Sequence, residues 1–525
     1  MKNYKNFIQI ALACMAFAFI SCDDWLETDV PSARPTKDFY QTPVQAEQAL
    51  LGIYNGLLPL PEYSVLMSDG RSDDVWTEPA DDKQRDYVDI SVFNPSIYMI
   101  STLNDAWNDL YEIVVRANLF LQKTEGMDFP VGEDVADVDV KATFIAEARF
   151  LRAYAYFDLV RYFGRVPVSL HPLTADEAMN TPQSEPENVY ADVIIPDLEF
   201  AIENMQEDAY TCEGNLAEAG RATLPAAKAL LGRVYLTMAG YPLNDVEKAP
   251  LAKALLKEVI DYADETGKYW AKDGEEWKRI WISDNDNKFH IFEIQYVAEK
   301  NYGNPMVFLS VPNVGTDYIG IQMSGNRITC DAGLEELYEE YPDDVRYEAT
   351  VDPDDRYFTK FFEHKIKRKE LGFGDIDGQI VDRTYFPINY PLIRLEDVML
   401  MYAELEGPTT EGIEMVNRIR TRAGLPELTA AEKTNTAFQQ CVDDERRREL
   451  AFEGIRWHDI VRHNTYIENV QAKFMRMAAD ENGTIIRPTY LNYVNNVRVG
   501  TYLYPIPDTQ MKAKEGLYQQ NEAYR

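Results

Sequence analysis

The residues best suited to chemistry in this chain could grip a polar ring; few could break a bond. Between Pro59 and Ser101 lie Asp73, Asp74, Trp76, Arg85, Tyr87, Asn94 and Tyr98, and between Lys268 and Tyr390 lie Tyr296, Tyr302, Asn304, Tyr318, Asn326 and Arg327. Flat aromatic faces suit the C–H surface of a pyranose, and carboxylates, amides and guanidinium groups take its paired hydroxyls. Trp76 and Tyr98 are therefore expected as stacking faces. Asp74, Arg85 and Asn94 are expected to take hydroxyls, with Tyr302 and Tyr318 contributing from the second segment. Core packing is the competing reading of Trp76 and Tyr98, because an aromatic side chain fills a core as readily as it faces a ligand. Trp270, Trp277 and Trp281 fall at the spacing of a buried helical stripe and read as core.

Catalysis finds no such support. The sequence has no G-x-S-x-G, H-E-x-x-H, P-loop or G-x-G-x-x-G pattern, and only five histidines. His458 and His463 read as peripheral side chains near a helix end. With 88 Asp and Glu residues, some carboxylate pair at glycosidase spacing arises by chance, so count alone carries no argument for one. Asp284 with Asp286, and Asp375 with Asp377 before Gly378, resemble pieces of calcium loops without the full spacing and read as solvated turns. No catalytic residue, metal or cofactor is expected.

The formal charge of −36 argues against nucleic acid as a partner. It would also repel an anionic polysaccharide unless a local basic patch received it. Lys365, Lys367, Arg368 and Lys369 form such a run, which reads as a solvated face. The three cysteines beyond residue 22, Cys212, Cys330 and Cys441, are too sparse for a disulfide framework and read as free thiols.

Helical periodicity supplies the elements that must position these loops. Ala46, Ala49, Leu50, Ile53 and Leu57 recur at helical spacing after the start signal Thr42, Pro43 and Gln45. Stripes follow through Trp107, Leu110 and Val114, then Phe144, Ala148, Leu151 and Leu159 up to Gly164, then Ile194, Leu198 and Ala201, where Pro196 should kink the helix or mark its start. Further stripes run from Ala227 to Met238, from Ala252 to Ala263, from Leu392 to Tyr402 and from Ile413 to Arg420. In order these make four helix pairs of tetratricopeptide size, with Ala226, Ala229 and Gly232 allowing close approach. The expected fold class is all-α, a right-handed superhelical scaffold with long irregular insertions holding a few short strands. Phe289 to Val297 alternates apolar and polar residues and reads as one of them.

The expected division is a signal peptide over 1–21, an anchor segment over 22–41, a three-pair scaffold over 42–267 with a loop insertion at 59–101, a ligand-binding insertion over 268–390, and a fourth pair with a C-terminal segment over 391–525. The signal rests on Lys2 and Lys5, an uncharged run from Phe7 to Ile20, and Ser21 before Cys22. Cys22 is the expected lipidation site, since two acyl chains hold a protein to a membrane.

Five runs then resemble a known family. Ala146 to Pro167 (AEARFLRAYAYFDLVRYFGRVP), Tyr390 to Glu404 (YPLIRLEDVMLMYAE), Asn417 to Gly424 (NRIRTRAG), Asp444 to Arg462 (DERRRELAFEGIRWHDIVR) and Leu503 to Tyr524 (LYPIPDTQMKAKEGLYQQNEAY) are similar to blocks of the SusD/RagB proteins. A compressed turn at Leu405 to Thr410 departs from the family's longer stretch after YAE. The resemblance implies a non-enzymatic lipoprotein of the cell outer membrane, facing outward, that captures oligosaccharides for a SusC-like TonB-dependent transporter. It places Glu445, Arg446, Arg447, Arg448 and Glu449 in the scaffold, as an ion-pair network. Peptide capture by the same kind of transporter lid is the alternative reading, and a surface glycoside hydrolase a more distant one.

Overall fold

The computed structural model describes residues 39–77, 85–129, 138–217, 219–281, 288–297, 299, 302–306, 309, 328–352, 356–361, 387–480 and 482–525. The expected lipidation site Cys22, Tyr318, Asn326, Arg327, the basic run at 364–369 and the aspartates of both calcium-like fragments lie outside these residues.

The scaffold helices are α1 (Pro43–Asn55), α2 (Ser101–Thr124), α3 (Val140–Phe163), α4 (Ile195–Asn204), α5 (Leu224–Ala239), α6 (Ala249–Thr266), α7 (Leu395–Glu406) and α8 (Thr410–Arg422). Each packs against the next in this order, which gives four consecutive pairs in an array. The fold is all-α with a few short strands, in agreement with the reading above. Three further helices, α9 (Asn435–Leu450), α10 (Arg456–Arg462) and α11 (Tyr466–Ala478), follow the fourth pair.

Local chemistry accounts for the helix limits. The Thr42 side chain accepts from the Gln45 amide, Pro43 sits in the first turn, and Ala46, Leu50 and Ile53 are buried. The Gln45 side chain accepts from the Gln41 amide, one residue outside the usual capping-box partner. Before α4, a turn of π-helix at Tyr190–Ile194 precedes Pro196. The wider turn accommodates a proline that cannot donate back to the preceding turn. Helix α3 is buried on nearly every side, as the central member of an array must be. It ends at Gly164, whose φ of 70° is a backbone state that favours glycine, and a Cβ there would stand 2.7 Å from Leu503 Cδ1. At Gly232 a Cβ would meet Leu256 Cδ2 at 2.8 Å, so α5 and α6 approach as closely as the small residues suggest.

Three strands belong to the second insertion or border it, and one belongs to the first. They are β1 (Val75–Thr77), β2 (His290–Ile294), β3 (Ile328–Cys330) and β4 (Tyr390–Arg394). Strand β2 pairs antiparallel with β4, and β1 pairs antiparallel with β3, with Trp76 opposite Thr329. Residues of β2 are buried on both faces, where alternation had suggested a half-exposed strand. Phe292 packs edge-on against Tyr54 and Phe150, while Glu293 accepts from Asn389 and Gln295.

Candidate functional site

The first insertion is tied to the last third of the chain by buried charge. Asp73 takes Arg456 through both oxygens at 2.9 and 3.0 Å, and Arg456 also reaches Asp443 at 2.7 Å. Asp74 accepts from Arg447 Nε at 2.8 Å. Burial alone would raise the Asp73 pKa, but Arg456 and Arg447 hold its carboxyl well below the ordinary value. The Asp74 carbonyl accepts from the Asp331 amide, and Asp331 in turn holds Arg476 at 2.6 Å. The fully buried Lys473 donates from α11 to the carbonyls of Ser72 and Val75. Its burial lowers the ammonium pKa from 10.5 to about 8.

These contacts decide where the expected ligand residues stand. Asp74 is 3% exposed and committed to Arg447, so it holds the insertion down instead of offering a free carboxylate. Trp76 is 6% exposed and meets the Tyr490 ring edge-on at 5.2 Å, within a cluster of Val92, Phe93, Trp457 and Phe474. That placement is the core reading and replaces the solvent-facing platform. Asn94 is half-buried and builds a turn, its amide donating to Asp89 at 2.7 Å and its oxygen accepting from the Ser96 amide at 2.9 Å. Tyr98 is half-buried in the 3-10 turn Ile97–Met99 that leads into α2. Arg85 opens the short helix Arg85–Ser91. In that helix Asp86 accepts from the Ser101 amide at 3.1 Å and the Ser101 hydroxyl at 2.9 Å, so the insertion caps α2.

In the second insertion, Tyr302 is 47% exposed, and its carbonyl and amide close a turn with Val297 and Glu299. Tyr296 and Asn304 are buried and bind backbone carbonyls of Leu58 and Ile388, so they support the turn from beneath. The β1–β3 ladder therefore joins the two insertions, and among their described aromatics Tyr302 is exposed while Tyr87 and Tyr98 are half-buried. Trp277 and Trp281 are fully buried, as expected. Trp270 is only half-buried, at the edge of a cavity beside Arg418. The sequence reading also missed Arg71. It is fully buried between the rings of Phe93 and Tyr504, 4.1 and 4.2 Å from their centroids, and bonds to Thr501 and Tyr524.

The charged run of α9 forms a buried ion-pair network. Glu449 accepts from Arg346 at 2.9 Å, Arg394 at 3.0 Å, Arg422 at 2.6 Å and Trp277 Nε1 at 2.9 Å. Burial would raise its pKa, yet the surrounding cations hold it well below the ordinary value. Among the described residues, no three His, Cys, Asp or Glu side chains converge as a metal site, and no helix is long and apolar enough to cross a membrane. Cys212, Cys330 and Cys441 are free thiols.

A helical-pair array whose long loops are cross-braced into one body defines a class of scaffold that presents loops. Two family models match it: the SusD family over residues 266–524, and one described as starch-binding, associating with outer membrane, over residues 24–236. The chain belongs to the SusD family. A SusD-like protein of Bacteroides ovatus is 25% identical over 491 residues, covering 89% of this chain and 84% of that one. The surface glycan-binding protein A from Bacteroides fluxus superposes with a TM-score of 0.71 at 22% identity, over 91% of this chain and 99% of that one. A laminarin-binding SusD-like protein superposes with a TM-score of 0.68 at 23% identity, again over 91% and 99%.

Proposed function

We propose that this protein is a glycan-binding lipoprotein of the outer-membrane surface, anchored through Cys22, which captures oligosaccharides and passes them to a SusC-like TonB-dependent transporter without chemical change. The observation that carries the reading is the β1–β3 ladder, which fixes both loop insertions to one another on a scaffold shared with glycan-binding relatives. Tyr98 and Tyr302 are the proposed stacking faces, and Arg85, Asn94 and Tyr318 the proposed flanking contacts. Asp74 and Trp76 hold β1 in place through Arg447 and the Tyr490 cluster. Rigid support of this kind limits the ordering cost of binding a flexible oligosaccharide.

Titration calorimetry of the purified protein against a panel of neutral oligosaccharides and an oligopeptide pool tests the reading. Saturable heat with at least one glycan and none with peptides is expected. Peptide binding without glycan binding would replace the oligosaccharide by a peptide in the same transport scheme. Product analysis of the same mixtures is expected to show intact glycans, and turnover by purified protein would overturn the non-enzymatic reading.

A further inference from the structure

A concavity lies where the scaffold passes into the second insertion, with no described lining residue from the first insertion or the β1–β3 ladder. It has a volume of about 750 Å³ and is lined by the end of α6, residues 267–270, Lys288, Phe289 and Arg418 of α8. The chain bends sharply to make it: Gly267 and Tyr269 have φ of 68° and 67°, and the Tyr269 amide donates to the Lys288 carbonyl at 3.2 Å. A tyrosine in the left-handed region is uncommon and costs free energy that the surrounding structure must offset. Tyr269 and Trp270 are both half-buried on this wall.

The electrostatics of the cavity oppose those of the molecule. The chain carries −36 overall, yet four cations, Lys268, Lys272, Lys288 and Arg418, line this cavity against two carboxylates, Asp264 and Glu276. Three of the cations are committed: Arg418 to Asp264 at 2.8 and 3.0 Å, Lys272 to Glu276 at 3.0 Å, and Lys268 to Asp208 at 3.1 Å. Lys288 is exposed, lies 4.8 Å from the Phe289 centroid, and has no carboxylate partner among the described residues. Half-buried aromatics beside an uncommitted ammonium suit a ring with one apolar face and one negative group.

We propose that this cavity is a separate subsite for an acidic pyranose, with the ring beside Tyr269 and Trp270, whose indole already carries Arg418 and Arg422 at 5.2 and 4.8 Å from its centroid, and its anionic group at Lys288. The proposal rests on the glycan-binding reading above and adds a ligand class that the overall charge would otherwise disfavour. Carboxylated and sulfated sugars share this chemistry, so the test uses both. Calorimetry on the full chain compares tri-galacturonate, a sulfated galactose oligosaccharide and neutral galactotriose. At least one acidic ligand is expected to bind, with the affinity falling roughly tenfold in Lys288→Glu and again when salt is raised to about 0.5 M. Which acid binds identifies the source of the negative group. The melting temperature of Lys288→Glu should match wild type because the side chain is exposed, and Lys288→Glu should leave the affinity for neutral glycans unchanged. Equal binding of the acid by wild type and Lys288→Glu overturns the proposal, as does binding of neutral glycans from the wider panel with no binding of either acid. If neither neutral nor acidic glycans bind, the glycan-binding reading fails with it.

Discussion

At the scale of single residues, burial separates side chains that hold the site from side chains that can meet a ligand. Trp76→Ala should lower the melting temperature, because removing a buried tryptophan costs about 3–5 kcal/mol. Tyr302→Ala should instead leave the melting temperature within a degree or two and weaken glycan affinity, since its ring is 47% exposed. Lys473 gives a pH signature. Its ammonium pKa is lowered to about 8 in the folded protein, so between pH 8 and its unfolded value near 10.5 the unfolded chain binds more protons. Wild-type stability should therefore rise with pH across that window relative to Lys473→Met, by up to about 3 kcal/mol, as followed by denaturant titration. A flat difference between the two proteins would show that Lys473 does not titrate as its burial implies. Trp76 was ambiguous in the sequence because its partner Tyr490 is remote in the chain and no local period announces the contact. Asp74 was read as a hydroxyl contact for the same reason: Arg447 of α9 takes Asp74 and Arg456 of α10 takes Asp73 across 373 and 383 positions, and no local pattern announces either pair.

At the scale of elements, the helices were legible and the ties between loops were not. Repeating apolar residues set out all four pairs, and Thr42 and Gly164 marked ends that the structure keeps. Pro196 was read as a kink or a start, and the π-turn before it shows how both descriptions meet. The three-residue strands β1 and β3 have too few positions to display a period, and their pairing spans the whole scaffold sequence between them. The cap on α2 was hidden for a similar reason, because Asp86 supplies it from the neighbouring insertion. Asp86→Ala should destabilise the protein by about 1 kcal/mol and speed amide exchange in the first turn of α2. Unchanged exchange at Ser101 to Leu103 would show that the insertion is not what fixes the start of this helix.

At the scale of the whole molecule, two supports hold the loop insertions: the helical array and the buried charge network of α9. Glu449→Ala would leave Arg346, Arg394 and Arg422 with an uncompensated share of buried positive charge. A loss of about 3–5 kcal/mol is expected from breaking such a network at one member, measured as a fall in melting temperature. The attachment proposed for the chain is separable from its fold. Labelled palmitate should enter the wild type and not Cys22→Ala, while the purified Cys22→Ala protein should bind glycan as before. Labelling that survives in Cys22→Ala would move the anchor elsewhere.

The setting of Arg71 bears on the order in which the protein assembles. Its guanidinium bonds to the Thr501 carbonyl across 430 positions of sequence and to the Tyr524 hydroxyl across 453, whereas α2 through α6, and α7 with α8, are joined by far shorter connections. Contacts between distant positions must overcome a larger loop-closure entropy, and topologies rich in them form slowly. The helical array should therefore gain exchange protection first and the loop face last during refolding. An early species would then carry a formed scaffold with no competence for ligand, and pulse-labelled hydrogen exchange should find the amides of α3 and α5 protected before those of β1.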